Sequence, residues 1–211
     1  MSNSHGKDVE AKILSAAFSI FLKKGKSGTK MQEIADKAGV NKALLHYYFR
    51  SKDNLYKAVV KQVVEKFILS LIQNLDFSLN FKEILQNFIF NHIGFIQGNK
   101  QVLQFFMGEV WMNPTEVMHE FQAAMKIQDK PAFVVIMDRI GKAIEDKEIK
   151  ESDPFTLLVN ILSLDLFFFL LSPMFLEMAG YNEEEKQLVI NNRAEEVFNF
   201  VWDSIRLRKE E

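Results

Sequence analysis

The stretch Thr29–Lys52, TKMQEIADKAGVNKALLHYYFRSK, constrains the fold more than any other part of the chain. Its pattern predicts a short helix, a tight turn at Gly39, a second short helix and a basic exit. Met31, Ile34, Ala35 and Ala38 recur at helical spacing. Thr29 stands where an N-cap belongs, and Gln32 three residues on completes the pattern of a capping box. Asn41 is a good N-cap for the second helix. Two short helices locked at a fixed angle are what a chain needs to set one of them into a DNA major groove.

Charge points the same way. Residues 1–66 hold 13 Lys and Arg against 6 Asp and Glu, an excess of +7. The remainder holds 13 basic against 22 acidic residues, so the overall −2 hides a basic head on an acidic body. A polyanion-binding module attached to a domain with another task needs such a split. The chain has no cysteine, which removes disulfides, thiolate nucleophiles and thiolate metal sites. The first thirty residues lack the apolar core and cleavage site of a secretory signal, so a cytoplasmic protein is expected.

The whole chain reads as all-α. Residues 1–7 are polar and expected to be disordered. A helix over 8–24 carries Val9, Ile13, Ala16, Ala17, Ile20 and Phe21 on one stripe and stops at Gly25. The helix-turn-helix occupies about 30–49. From Asp53 a long helix carries Leu55, Val59, Val63, Phe67, Leu71 and Leu75, long enough to pass without a linker from an N-terminal domain (1–52) into a second helical domain (53–211). Further helices are expected from Phe81 to Ile96, Val102 to Met112, Met118 to about Glu148 with Pro131 kinking or dividing it, Phe155 to Met178, and Glu183 to Arg208. The run Phe155–Leu176 is apolar enough to span a membrane. Asn160, Asp165 and Pro173 within it argue for a buried helix instead, and no membrane partner is expected.

Residues 9–55 resemble the N-terminal domain of the TetR family of bacterial transcriptional regulators. Ile13, Ala16, Ala17, Phe21 and Gly25 carry the likeness in the first helix. It continues through Thr29, Ile34, Ala35, Ala38, Gly39, Val40, Leu45, Tyr47, Tyr48, Phe49, Ser51, Lys52 and Leu55. The periodicity of the second short helix orients it. Val40, Leu45 and Phe49 lock it inward, and Ala43 and Tyr47 then point away, flanked by Lys42, Leu44, His46 and Tyr48. Lys42 can reach guanine or a phosphate, Ala43 and Leu44 can pack on thymine methyls, and His46, Tyr47 and Tyr48 can bond phosphates or base edges. The resemblance implies these positions as DNA contacts and adds Thr29, Lys30 and Lys52. Leu44 stands where the family usually has a small hydroxyl residue and His46 where it often has tyrosine, two departures that bear on which operator is read.

The resemblance further implies that the second domain binds a small-molecule effector and forms a homodimer, so that ligand binding releases a palindromic operator. The residues themselves show an excess of Phe and Met, which suits a dense core or an apolar cavity. An apolar or aromatic effector is therefore expected, with His92, Phe95, Phe106, Glu109, Trp111, His119 and Asp165 as its candidate contacts. His92 and Asp165 can equally be a hydrogen-bonded core histidine and a buried cap at the dimer seam. The last two helices, through Leu157, Ile161, Leu164, Phe168, Leu171 and Val189, Val197, Phe200, Val201, Ile205, are the candidate dimer faces.

Catalysis has no obvious seat. The histidines at 5, 46, 92 and 119 form no ligand-spaced pair, and no phosphate loop or carboxylate–histidine constellation is present. No metal, cofactor or enzyme activity is expected. The reading is a repressor of transcription. The alternative that Leu44 and His46 keep open is a helical ligand-binding protein whose degenerate helix-turn-helix does not bind DNA specifically.

Overall fold

The computed structural model describes residues 2–72, 75–124, 126–127 and 130–207. Its helices run α1 (Ser2–Gly28), α2 (Met31–Ala38), α3 (Lys42–Phe49), α4 (Lys52–Ile72), α5 (Phe81–Gly98), α6 (Lys100–Met112), α7 (Pro114–Ala124), α8 (Ala132–Glu145), α9 (Pro154–Met178) and α10 (Glu183–Ile205). Between α7 and α8 the two-residue strands β1 (Lys126–Ile127) and β2 (Lys130–Pro131) pair antiparallel. The expected helix over 118–148 is thus divided at Pro131, which cannot donate the hydrogen bond a continuing helix requires. Helix α1 reaches back to Ser2, a correction to the expected disorder of residues 1–7 over the part described. Arg208, the expected end of the last helix, lies outside the described residues.

The chain divides into two compact units. The first holds the segment ending at Glu65 together with Phe105–Glu120; the second holds Lys66–Gln104 and the segment from Phe121 onward. In the first unit, Ile13, Ala16, Ala17, Ile20 and Phe21 of α1 are buried, the i, i+3, i+4, i+7, i+8 stripe of an amphipathic helix. Ile34 and Ala35 of α2, Leu45 and Phe49 of α3, and Leu55, Tyr56 and Val59 of α4 are buried with them. Phe21 stands edge-on to Tyr56 at 4.9 Å, and Phe18 of α1 lies 5.4 Å from Phe105 of α6. Tyr56 donates a short hydrogen bond to Glu109, whose other oxygen accepts from Asn113 Nδ2 at 2.9 Å. Burial first, then that bond, pushes the Tyr56 phenol well above its ordinary range.

Two glycines shape this unit. Gly25 (φ 65°, ψ 172°) breaks the helical path inside α1, where the sequence placed the stop. Gly39 ends α2 in the left-handed region (φ 68°, ψ 31°), and its N–H closes on Ala35 and Asp36 carbonyls.

The second unit is built around α5. Phe81, Leu85, Phe88, Ile89 and Ile93 form its inner stripe, in one cluster with Ile140 of α8, Leu157, Leu158 and Ile161 of α9, and Val197, Phe198, Val201 and Ile205 of α10. Asn80 caps α5 by accepting from Glu83 N–H at 3.1 Å, and Phe81 N–H donates to Glu148 at 2.6 Å. Asn182 and Glu185 form a reciprocal capping box at the start of α10. Helix α9 is long and apolar enough to cross a membrane by length and composition, and its central Asp165 is buried against His92.

Two measurements test this packing. Gly39→Ala meets no neighbouring atom, so its cost is the left-handed backbone alone; a loss of about 1 kcal/mol is expected in urea unfolding. Ile89→Ala, at a residue with no exposed surface, is expected to cost about 2–5 kcal/mol by the same assay.

Candidate nucleic-acid interface

Helix α3 is eight residues long, too short to persist by propensity alone. Its start is fixed by Asn41, whose side chain accepts the Leu44 N–H at 2.7 Å. Its inner edge is fixed by Leu45, with no exposed surface, and Phe49 at 6%. Its end is fixed at Arg50, which takes φ 60° and donates its N–H to His46 O at 2.9 Å. Next to it, Ser51 Oγ accepts the Asn54 N–H at 3.1 Å and so caps the first turn of α4. Ion pairs and hydrogen bonds brace α2 as well: Lys24 meets Glu33 at 2.9 Å and Lys37 donates to Ser19 at 2.7 Å.

With Leu45 and Phe49 inward, the opposite face of α3 is open. Lys42 and Ala43 are exposed, Tyr47 is 69% exposed, and Leu44 and His46 are half-buried. His46 Nδ1 lies 3.0 Å from the Arg50 carbonyl. A carbonyl only accepts, so Nδ1 carries the hydrogen and Nε2 is left as the outward atom. Tyr48 is half-buried and donates its hydroxyl to Gly6 O at 3.3 Å; its ring stands edge-on to Tyr47 at 5.5 Å.

The residues flanking α3 play different parts. Lys30 is exposed and is itself the N-cap of α2, with no side-chain cap bond. The sequence assigned that cap to Thr29 with Gln32. In the structure Thr29 is buried at 2% and its hydroxyl donates to Gly25 O at 2.7 Å, while Gln32 bonds Asp36. The break at Gly25 leaves a carbonyl in need of a donor, and the Thr29 hydroxyl supplies it. Lys52 is half-buried; its Nζ donates to Thr29 O at 3.1 Å and reaches Ser27 O at 3.5 Å. Arg50, passed over in the sequence, is exposed directly beyond α3. Its signal was the basic run RSK, with a residue in a backbone region that side chains rarely adopt.

The expected effector contacts are shared between the two units. His92, Phe95 and Asp165 belong to the second unit, and Phe106, Glu109, Trp111 and His119 to the first. His92 and Asp165 are brought together at 2.8 Å with no exposed surface on either. Burial raises the Asp165 carboxyl above its ordinary range, against the opposing pull of the His92 hydrogen bond and the charges of His92 and Arg193. Phe95 is half-buried, with its ring 6.4 Å from Phe67. Glu109 and Phe106 are buried, whereas Trp111 is 85% exposed and His119 is exposed.

The expected dimer faces need a correction. Leu157, Ile161, Val197, Val201 and Ile205 point into the second unit's own core. Of the expected faces Leu171 and Phe200 are exposed, and beside them stand Phe155, Val159, Phe167, Met174, Phe175 and Met178 on α9 and Leu188 on α10. Helix α9 is apolar almost all round, so periodicity could not say which side was outermost.

Residues 13–59 match the family model described as bacterial regulatory proteins, tetR family. The "Probable HTH-type transcriptional regulator YttP" of Bacillus subtilis is 28% identical over 137 residues, 64% of this chain and 65% of that protein. The HTH-type transcriptional regulator RutR of Escherichia coli is 46% identical over 59 residues, 28% of each chain. The chain thus matches less than two thirds of the length of either relative. Among solved structures, a TetR-family transcriptional regulator from Haemophilus influenzae superposes with a TM-score of 0.69 over 95% of this chain and 98% of its own, at 18% identity, a likeness of fold. The helix pair α2–α3 and its open outer face thus lie within the residues that match the tetR-family model, and the likeness at the level of sequence is to the helix-turn-helix domain of these regulators.

Proposed function

We propose that the chain is a sequence-specific DNA-binding regulator of transcription, acting in the cytoplasm as a homodimeric repressor that a small apolar or aromatic molecule releases from its operator. The single observation that carries the reading is the outer face of α3. A helix pinned by its cap and two buried side chains presents Lys42, Ala43 and a 69%-exposed Tyr47 to solvent. An aromatic so exposed on a rigid, basic-flanked helix is poorly explained by packing and well explained by a groove. Residues 1–52 supply the DNA contacts in this reading, and residues 53–211 the effector and dimer contacts.

Lys42 and Tyr47 read or touch DNA directly, together with Ala43, Leu44 and His46. Lys30 contacts phosphate beside the start of α2. Lys52 acts from behind by holding the carbonyls of Thr29 and Ser27, which keeps the approach to α2 in place. The exposed apolar faces of α9 and α10 support pairing of two copies, because side chains such as Phe167, Phe175 and Phe200 exceed half exposure in one chain and would be covered in a dimer.

Selection of bound duplexes from a random library at near-physiological salt is expected to enrich one inverted repeat; retention without enrichment would overturn sequence-specific reading. On the enriched site, Tyr47→Ala is expected to weaken binding by about tenfold or more with unfolding unchanged. Lys42→Ala is expected to reduce the salt dependence by about one phosphate contact. Phe175→Glu is expected to shift the protein from dimer to monomer in sedimentation equilibrium, and an unchanged dimer would remove this face from the interface.

A further inference from the structure

The second unit buries an ionisable pair that DNA binding does not use. His92 and Asp165 meet through Nδ1 and Oδ2 at 2.8 Å with neither residue exposed. The other polar atom of each, His92 Nε2 and Asp165 Oδ1, is buried with no hydrogen-bond partner. Each such atom has lost its water and gained nothing in return until something bonds it. Each of the two is left short of a partner.

An apolar cavity of about 130 Å³ lies one helical turn away. Phe88 lines this cavity, and its ring lies 6.2 Å from the His92 imidazole. Leu162 lines it from α9, three residues before Asp165. Leu71 lines it from α4, four residues after Phe67, whose ring stands edge-on to His92 at 5.4 Å. Helices α5 and α9 therefore carry the cavity on one turn and the pair on the next, and α4 runs alongside with Leu71 at the cavity and Phe67 against His92. Apolar cavities of about this size hold a molecule such as benzene.

Charge decides what head group can follow. The Asp165 carboxylate accepts, so His92 Nδ1 carries the hydrogen. Arg193 is close enough for its charge to act on Asp165, and a guanidinium against a carboxylate balances the buried charge. Nε2 and Oδ1 then offer only lone pairs, and what completes them is a donor.

We propose that this cavity and the His92–Asp165 pair form one binding site for an apolar molecule about one aromatic ring in size, ending in a hydroxyl or ammonium donor. The proposal deepens the effector reading above and rests on it. The ring or short chain fills the cavity, Phe88 rotates off the imidazole, and the head donates to Nε2. A carboxylate of the same size is rejected, because it would set a second anion beside Asp165 in a low-dielectric interior.

The test uses the full-length chain and three probes that share one ring: p-cresol, toluene and p-toluate. In calorimetry, p-cresol is expected to bind saturably, and p-toluate at least about tenfold more weakly. His92→Phe is expected to bring p-cresol down to the affinity of toluene while leaving toluene unchanged. Because that variant strands Asp165 and can unfold the unit, a second measurement uses the unaltered protein: the ¹⁵N resonance of His92 Nε2 is expected to move on adding p-cresol and to stay in place with toluene. Equal binding of p-toluate and p-cresol, an unmoved Nε2 resonance, or no saturation by any probe at millimolar concentration would each overturn the site. Saturable p-cresol binding that leaves operator retention unchanged would uphold the site and overturn the effector reading.

Discussion

An eight-residue helix cannot hold itself in water, and the whole reading of this protein turns on how α3 is held. Its nucleation cost is offset from three sides: the Asn41 side chain at its start, Leu45 and Phe49 beneath it, and the reversal at Arg50 that closes its last turn. Because the support comes from below and from the ends, the outer face is free to be chosen for contact rather than stability. That division of labour lets Ala43 and Tyr47 stand in solvent on a well-fixed backbone. Helices α1, α2 and α4 serve this end: α1 packs its buried stripe against α2, and α2 in turn packs against α3.

The second unit is organised by a different constraint, the burial of charge. Helix α9 is apolar along nearly its full length, yet it carries Asp165 at its middle with no exposed surface. A carboxylate there is tolerable only because α5 brings His92 to it and α10 brings Arg193 near. The three helices are thereby fixed in register by electrostatics as well as by area, since sliding any of them by a turn would strand an ion. Arg193 adds a cation–π contact at 4.3 Å from the Phe168 ring and a bond to Leu164 O, so the same side chain secures α10 against α9 twice.

What the sequence disclosed was local. Asn41 as a cap, Gly39 as the left-handed turn and Gly25 as a break were legible because each acts on its own few residues, and the row at 55/59/63/67/71 announced its inner face by period. Thr29 misled because its residue type fits a cap, whereas the broken turn at Gly25 offered a carbonyl closer to hand. Long-range pairing was not legible: His92 and Asp165 are 73 positions apart, and neither helix's pattern names its partner. The inner and outer sides of α9 were equally hidden, since an all-round apolar helix has no dominant direction. That Phe105–Glu120 clusters with the N-terminal residues is likewise a matter of packing that no local signal carries.

The reach of Lys52 back to the carbonyls of Ser27 and Thr29 has a practical consequence for anyone recombining such proteins. The residue that opens α4 is also the clasp of the α1–α2 turn. A chimera joined anywhere ahead of it would graft the reading head without its fastening, and the transplanted pair of helices would arrive loosened. The seam belongs further along α4, past the buried Leu55, Tyr56 and Val59, and the transplant has to bring Phe105–Glu120 with it, since Phe105 meets Phe18 and Glu109 accepts the Tyr56 hydroxyl.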